Sequence, residues 1–336
     1  MSTAPSAAPN PALIFETLNA YQKTEALKAA VELELFTHIA DGASTVPEIA
    51  KRTQASERGI RILCDFLTII EFLHKTGAVY TNSPTAQVFL NKHSPNYIGS
   101  MAHFLAHDHL TEHFHNFAGS VRKGGTVSKG TLGPEDPIWV EFARSMAPFI
   151  AMGAQIVAKI VANPGEPQKT LDISAGHGLF GLMVARENPL AHIYAADWSN
   201  VLQVAKENAA KFQVAERFHT IPGSAFETDF GSDYDLVLVP NFLHHFDIPT
   251  CTNLLKKCHK AMKKGATLAI SEFVPNEDRI SPPMAASFSV QMLGGTDAGD
   301  AYTFKELSKM ATEAGFGNPR SQPLEPTPQT LVLATA

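Results

Sequence analysis

Residues 171–181 read Leu-Asp-Ile-Ser-Ala-Gly-His-Gly-Leu-Phe-Gly. Thr170–Ser174 reads as a short buried strand, and glycines 176, 178 and 181 then break it in a tight turn toward a helix. The same pattern repeats outward: HIYAAD (192–197), FHTIPG (218–223), DLVLVP (235–240) and TLAISEF (267–273) are strands. VLQVAKENAAKF (201–212) and CTNLLKKCHKAM (251–262) are helices between them. A helix over 304–316 and two strand-like pieces, TLVLATA (330–336) the clearer, close the chain. Strands spaced by helices predict an α/β fold with a doubly wound, mostly parallel sheet of seven strands. Ligands in such sheets bind beyond the carboxyl ends of the strands, so each strand end is a candidate site.

The first strand end spells G-x-G-x-x-G, which alone is a weak nicotinamide fingerprint. Two acids point elsewhere. Asp172 lies inside the strand, and Asp197 closes the second strand sixteen residues after Gly181. An acid, the glycine turn and a second acid are the arrangement seen in enzymes that use S-adenosylmethionine, with the Asp197 carboxylate accepting the ribose hydroxyls. Ser224, Ala225 and Phe226 follow the third strand, where the adenine would lie. Asn241, Phe242, His244 and His245 follow the fourth, and Glu272 ends the fifth. An imidazole of ordinary pKa takes a proton at neutral pH. A carboxylate beside it fixes the tautomer. One of the two histidines and Glu272 therefore form a candidate acid–base pair.

The front of the chain is different. Residues 11–73 carry helical spacing. TEALKAAVELELFTHIA (24–40) reads as one amphipathic helix started by Thr24 and stopped by Gly42. Thr45, Pro47 and Glu48 form a capping pattern, and Ser56 heads a third helix. GAVYTNSPTAQVFL (77–90) reads as two strands around an Asn-Ser-Pro turn. Helices plus a hairpin describe a winged helix, which raises DNA binding. Residues 11–100 hold eight Lys or Arg against nine Asp or Glu, too neutral to displace counterions from DNA. The third helix turns apolar over Ile62–Ile70, which suits packing against a second subunit. A cluster of five histidines (103, 107, 109, 113, 115) has i, i+4 pairs able to hold a metal, but interleaved Phe104, Leu105, Leu110, Phe114 and Phe117 favour a pocket-lining helix with no metal.

Composition narrows the classes further. The 336 residues carry a net charge of −6, which argues against a nucleic-acid or membrane-surface protein. No apolar run reaches the roughly 20 residues needed to span a bilayer. The start, MSTAPSAAPNPA, lacks the basic and apolar regions of a signal peptide. Three scattered cysteines suit a reducing cytoplasm. The expected organisation is a disordered tail over 1–10, a winged helix over 11–100, linking and pocket helices over 101–160, and a ligand-binding catalytic domain over 161–336.

With these motifs the chain resembles the S-adenosylmethionine-dependent O-methyltransferases related to caffeic acid O-methyltransferase and to bacterial natural-product enzymes, over nearly its whole length. The resemblance implies a Rossmann-like class I methyltransferase domain and a winged-helix dimerisation domain, hence a homodimer. It implies methyl transfer to a hydroxyl of a small aromatic acceptor and S-adenosylhomocysteine as product. The family's glycine motif falls on Asp172–Gly178, which makes Ser174 and Gly176 cofactor residues. Its ribose acid falls on Asp197, with Trp198 beside the adenine. Its Gly-Asp-x-Phe motif falls on Gly223–Phe226, and Asn241 joins the cofactor set. The catalytic histidine falls on His244, not His245, and its supporting glutamate on Glu272. His107, Phe142, Met146, Phe242, Phe288 and Met292 fall in the acceptor pocket. Ser174 and Ala175 replace family glycines, Ser224 replaces an acid, and the family's second glutamate falls at Ala301 beside Asp300. Three other readings stay open: an NAD(P)-dependent oxidoreductase, a cofactor-binding member that does not methylate oxygen, and a winged-helix ligand sensor.

Overall fold

Apolar residues at helical steps make the front of the chain fold as short helices. The computed structural model describes residues 9–128 and 136–336; most of the expected tail, residues 1–8, lies outside them. Two compact units divide at His107 and Asp108. The first holds helices Ala12–Leu18, Ala20–Glu32, Leu35–Ala40, Val46–Thr53 and Glu57–Ile69, then the antiparallel hairpin β1 (Leu73–Thr76) and β2 (Val79–Asn82). Leu35, Phe36, Ile49, Ile60, Leu67, Leu73 and Tyr80 form its core. Each such buried aliphatic side chain contributes about 1.5–3 kcal/mol. Glu48 accepts hydrogen bonds from the backbone N–H of Thr45 and Ser44, and the Ser56 hydroxyl accepts from Gly59 N–H, so the helix starts expected at Thr45 and Ser56 hold, whereas Thr24 lies inside a helix that starts at Ala20.

Two expectations for this unit change. The helix expected over 24–40 breaks at Glu34, which takes a left-handed φ of 50°, so two helices meet there. The hairpin turns at Gly77–Ala78, not at Asn-Ser-Pro. Ser83 instead caps a helix, Pro84–Phe89, by accepting from Ala86 N–H. Proline at the first helical position loses no hydrogen bond, so Ser-Pro starts a helix as readily as a turn. Several large apolar side chains of this unit are exposed: Leu13, Ile14, Phe15 and Leu18 on the first helix, and Ile69.

The second unit carries the sheet. β3 (Gln168–Ile173), β4 (Ala191–Asp197), β5 (Phe218–Pro222), β6 (Tyr234–Pro240), β7 (Met262–Glu272), β8 (Gly317–Pro323) and β9 (Thr330–Thr335) stand in the order β5-β4-β3-β6-β7-β9-β8. The first five are parallel; β9 runs antiparallel to both neighbours. Leu171, Ile173, Val237, Val239, Leu268 and Ile270 point to one face, where helices Ile248–Ala261 and Phe304–Glu313 cover them. Helix Leu179–Glu187 packs on the other face, over Asp172. The chain winds from β3 out to β5 and returns to β6 beside β3. That reversal opens a crevice at the carboxyl ends of β3 and β6, where a ligand fits.

Candidate active site

The turn after β3 is built from left-handed residues. Ser174, Gly176 and Gly178 have φ of 53°, 57° and 76°. The three glycines do different work. A Cβ on Gly176 would meet nothing nearer than 3.9 Å, so its α-carbon faces open space beside the Phe142 ring. A Cβ on Gly178 would stand 3.0 Å from Ala205, and one on Gly181 2.4 Å from Ile193. Those two are packing glycines. A dinucleotide fingerprint needs its second glycine to face the pyrophosphate; here Gly178 faces Ala205 and Phe218 instead.

Asp197 ties this turn to β4. Its carboxylate accepts from Gly176 N–H at 2.7 Å and from Trp198 N–H at 2.7 Å. Burial raises its pKa to about 6 against the pull of those two bonds. Asp172, fully buried, is raised to about 7 by burial and by the Asp197 charge. Gly181 N–H donates to one of its oxygens; the other has no partner among the described residues. The buried His177 falls to about 4 and is neutral, its Nδ1 accepting from Leu179 N–H. Asn241, at the end of β6, also has a left-handed φ, of 50°, and its buried Oδ1 lacks a partner among the described residues. An open glycine cradle, a carboxylate with spare lone pairs and an unpartnered amide oxygen fit the nucleoside of S-adenosylmethionine. Trp198 packs among Trp139, Val140, Ala143, Val201 and Val204. Ser224–Phe226 follow β5, whose end is held by Gly223 N–H donating to the Asp197 carbonyl. The Phe226 ring leans on Phe242 and Phe246.

The register of β6 and β7 explains the acid–base pair. Pro240 lies opposite Ser271, and Asn241 N–H donates to the Ser271 carbonyl at 2.7 Å. The chain then turns over the end of β7. Glu272 Oε1 accepts from the N–H of Phe242 and Leu243 at 2.9 Å each and of His244 at 3.4 Å. Its Oε2 lies 2.7 Å from His244 Nδ1. Both side chains are buried. His245 stacks obliquely beside His244; burial, and then the His244 charge, push its pKa well below the ordinary value.

Phe288 meets the His244 ring edge-on with centroids 4.8 Å apart, and Phe273 stacks on Phe288 at 4.1 Å. Met292, one turn along the same helix (Pro283–Gly295), is buried, as is Met146 on helix Pro137–Val161. The structure thus brings His244, Glu272 and Phe288 together, and separately Gly176, Phe142 and Asp197. Phe273 escaped the sequence reading although it adjoins Glu272. His107 ends the first unit, whereas every other expected site residue lies in the second. Asp300 is engaged elsewhere, in an ion pair with Arg279 at 3.1 Å, while Ala301 is buried. The histidine cluster is not one helix but two, Met101–Leu105 and Asp108–Glu112. His113 lies buried under Gly294 and Gly295, its pKa lowered by burial and by His109. Among the described residues, no three His, Cys, Asp or Glu side chains converge as a metal site would require.

Known proteins agree with this architecture. Residues 141–317 match the O-methyltransferase domain, and residues 15–92 the O-methyltransferase dimerisation domain. A Nostoc punctiforme chain described as a candidate O-methyltransferase shares 48% identity, with a TM-score of 0.95 over 98% of this chain and 100% of that one. The 3-hydroxy-5-methyl-1-naphthoate 3-O-methyltransferase of Streptomyces sahachiroi is 27% identical over 93% of this chain and 91% of its own. Human N-acetylserotonin methyltransferase, solved with S-adenosylmethionine, shares the fold: 20% identity, TM-score 0.84, 99% of each chain. A domain match across more than half of the sequence, a second over its front and a near-identical fold at 48% identity make this chain a member of the S-adenosylmethionine-dependent O-methyltransferase family.

Proposed function

We propose that the enzyme methylates a hydroxyl of a flat, largely apolar aromatic acceptor, with His244 as general base and Glu272 as its orienting partner. The observation that carries this is the 2.7 Å contact of Glu272 Oε2 with His244 Nδ1, while Oε1 accepts backbone N–H groups. Anchored on both oxygens, the carboxylate accepts a hydrogen bond from Nδ1–H, which keeps the proton on Nδ1 and leaves the Nε2 lone pair for the acceptor. S-adenosylmethionine, when bound, supplies a methyl group on a sulfonium centre. A phenol with pKa near 10 is a weak nucleophile until its proton leaves, and His244 Nε2 receives that proton as the carbon–oxygen bond forms. The remaining task is to hold oxygen and methyl in line.

In this reading Ser174, Gly176, Asp197, Trp198, Ser224, Ala225, Phe226 and Asn241 hold the cofactor. Phe288, Met292, Phe142, Met146 and Phe242 line the acceptor pocket. The likeness to an enzyme named for a naphthoate hydroxyl supports a flat aromatic acceptor. The first unit serves a homodimer, which would bury its exposed apolar side chains such as Leu13, Ile14, Phe15 and Ile69. Among the described residues no helix is long and apolar enough to cross a membrane, and the cytoplasm is the proposed compartment. The test is turnover of methyl-labelled S-adenosylmethionine against a panel of phenols, with an amine and a carboxylic acid as controls. His244→Ala is expected to keep cofactor affinity and to lose about 10²–10⁴ in turnover. Full activity of that variant on a phenol would overturn the assignment. Sedimentation of the purified protein as a monomer would overturn the dimer.

A further inference from the structure

Two glycines of the second unit mark places where one backbone lies directly on another. A Cβ on Gly299 would stand 2.1 Å from the His244 carbonyl oxygen and 2.9 Å from the His245 carbonyl carbon. A Cβ on Gly125 would stand 2.1 Å from the Asp297 carbonyl oxygen. Both crossings fall on one turn, residues 296–299. That turn is fixed from within: the Thr296 hydroxyl donates to the Met292 carbonyl at 2.7 Å and accepts from Gly299 N–H at 2.9 Å. It is fixed from outside by Thr126 N–H, which donates to the Thr296 carbonyl at 2.8 Å. The same turn ends the helix that carries Phe288 and Met292.

We propose that Gly299 is a positioning residue for His244: its bare α-carbon lets the 296–299 turn press on the His244–His245 main chain and hold the imidazole against Glu272, with Gly125 backing the turn. The proposal rests on the reading of His244 as base. Real Cβ contacts stay beyond 3.0 Å, so any side chain at 299 forces backbone to move from a 2.1 Å approach. Besides the Thr296 hydroxyl at 2.7 Å, both partners are backbone atoms and not the loose end of a side chain. A shift on that scale stretches the His244–Glu272 hydrogen bond out of range, and misplacement of about 1 Å at a reacting group costs about 10²-fold.

The test compares Gly299→Ala with Thr296→Val, which removes the hydroxyl linking the turn to Gly299 without adding bulk. Three readouts are taken: kcat and KM on a weakly acidic phenol and on one acidic enough to be ionised at the assay pH; S-adenosylhomocysteine affinity; and the low-field proton resonance of the His244 Nδ1–H, identified by its loss in His244→Ala. Gly299→Ala is expected to lower kcat about 100-fold on the weakly acidic phenol, to spare the ionised one, to hold affinity within about threefold, and to shift or lose the resonance. Thr296→Val moves the same readouts by about tenfold or less, and carries the test should the alanine variant not fold. The resonance in place with kcat within about threefold, or equal losses on both phenols, overturns the proposal. A wild-type enzyme that methylates no acceptor would sink the base assignment, while the resonance would still decide whether Gly299 sets the His244–Glu272 contact.

Discussion

The His244–Glu272 pair and the turn after β3 differ in how completely their polar groups are satisfied. At the ends of β6 and β7, Glu272 gives one oxygen to backbone N–H groups and the other to His244, both inside the protein. Around the turn after β3, Asp172 buries an oxygen without a partner among the described residues, and Asp197, at the end of β4, sits at a pKa of about 6; Asn241, at the end of β6, likewise buries an oxygen without a partner among those residues. Buried polar groups are normally paired, and leaving one unpaired costs about 1–3 kcal/mol. On our reading the difference separates a preformed base from a binding surface that its ligand completes. In that reading the His244–Glu272 geometry exists before the cofactor arrives, whereas the turn after β3 offers donors and acceptors that gain partners on binding.

The sharpest way to break that contrast is Glu272→Gln. The amide oxygen can still accept from Phe242 and Leu243, so the fold survives. Its NH₂ faces His244 Nδ1, which must then accept, and the proton moves to Nε2, the atom that should take the acceptor's proton. Turnover is expected to fall by roughly 10³–10⁴, as when a triad carboxylate becomes an amide. Cofactor affinity should stay within about threefold by calorimetry. Near-normal turnover would show that the carboxylate does not set the tautomer.

Asp197→Asn probes the turn after β3, with a smaller effect on a different quantity. Losing a charged acceptor of two hydroxyls is expected to weaken S-adenosylhomocysteine binding about 10–100-fold, leaving kcat at saturation little changed. The carboxylate titrates near 6 in the free protein, raised by burial. Binding that requires the ionised form is at full strength above pH 7 and weakens as pH falls through 6, approaching tenfold per unit. Asp172 beneath the same turn titrates near 7, so the variant supplies the control: its affinity should lose the pH dependence below 6. A pH-independent wild-type affinity between 5 and 8 would remove Asp197 from the ribose.

The sheet and the meeting of His244 with Glu272 were readable because apolar runs fix buried strands, and adjacent parallel strands bring their following residues together. His244 and Glu272 meet for that reason alone. What was hidden depended on contacts without local pattern. Arg279 claims Asp300 from 21 residues away. Glu34 breaks a helix by adopting a left-handed φ that no glycine announced. Ser83-Pro84 carried a helix-start signal as strong as its turn signal. The clash positions at Gly125 and Gly299 come from chain crossings that no spacing encodes.

The smallest predicted effect divides one loop. Gly176→Ala and Gly178→Ala each force alanine into a left-handed conformation, at φ of 57° and 76°, costing about 1–2 kcal/mol apiece. Gly178→Ala adds a steric conflict with Ala205 at 3.0 Å and Phe218 at 3.3 Å, so its denaturation midpoint should fall further than that of Gly176→Ala. Gly176→Ala meets no protein atom closer than 3.9 Å, so its added methyl enters the space the cofactor would take. Its S-adenosylhomocysteine affinity should drop several-fold at equal folded fraction, whereas that of Gly178→Ala should hold. The two variants therefore separate a glycine kept for a ligand from one kept for packing. Equal losses of affinity in both would place the cofactor away from the turn after β3.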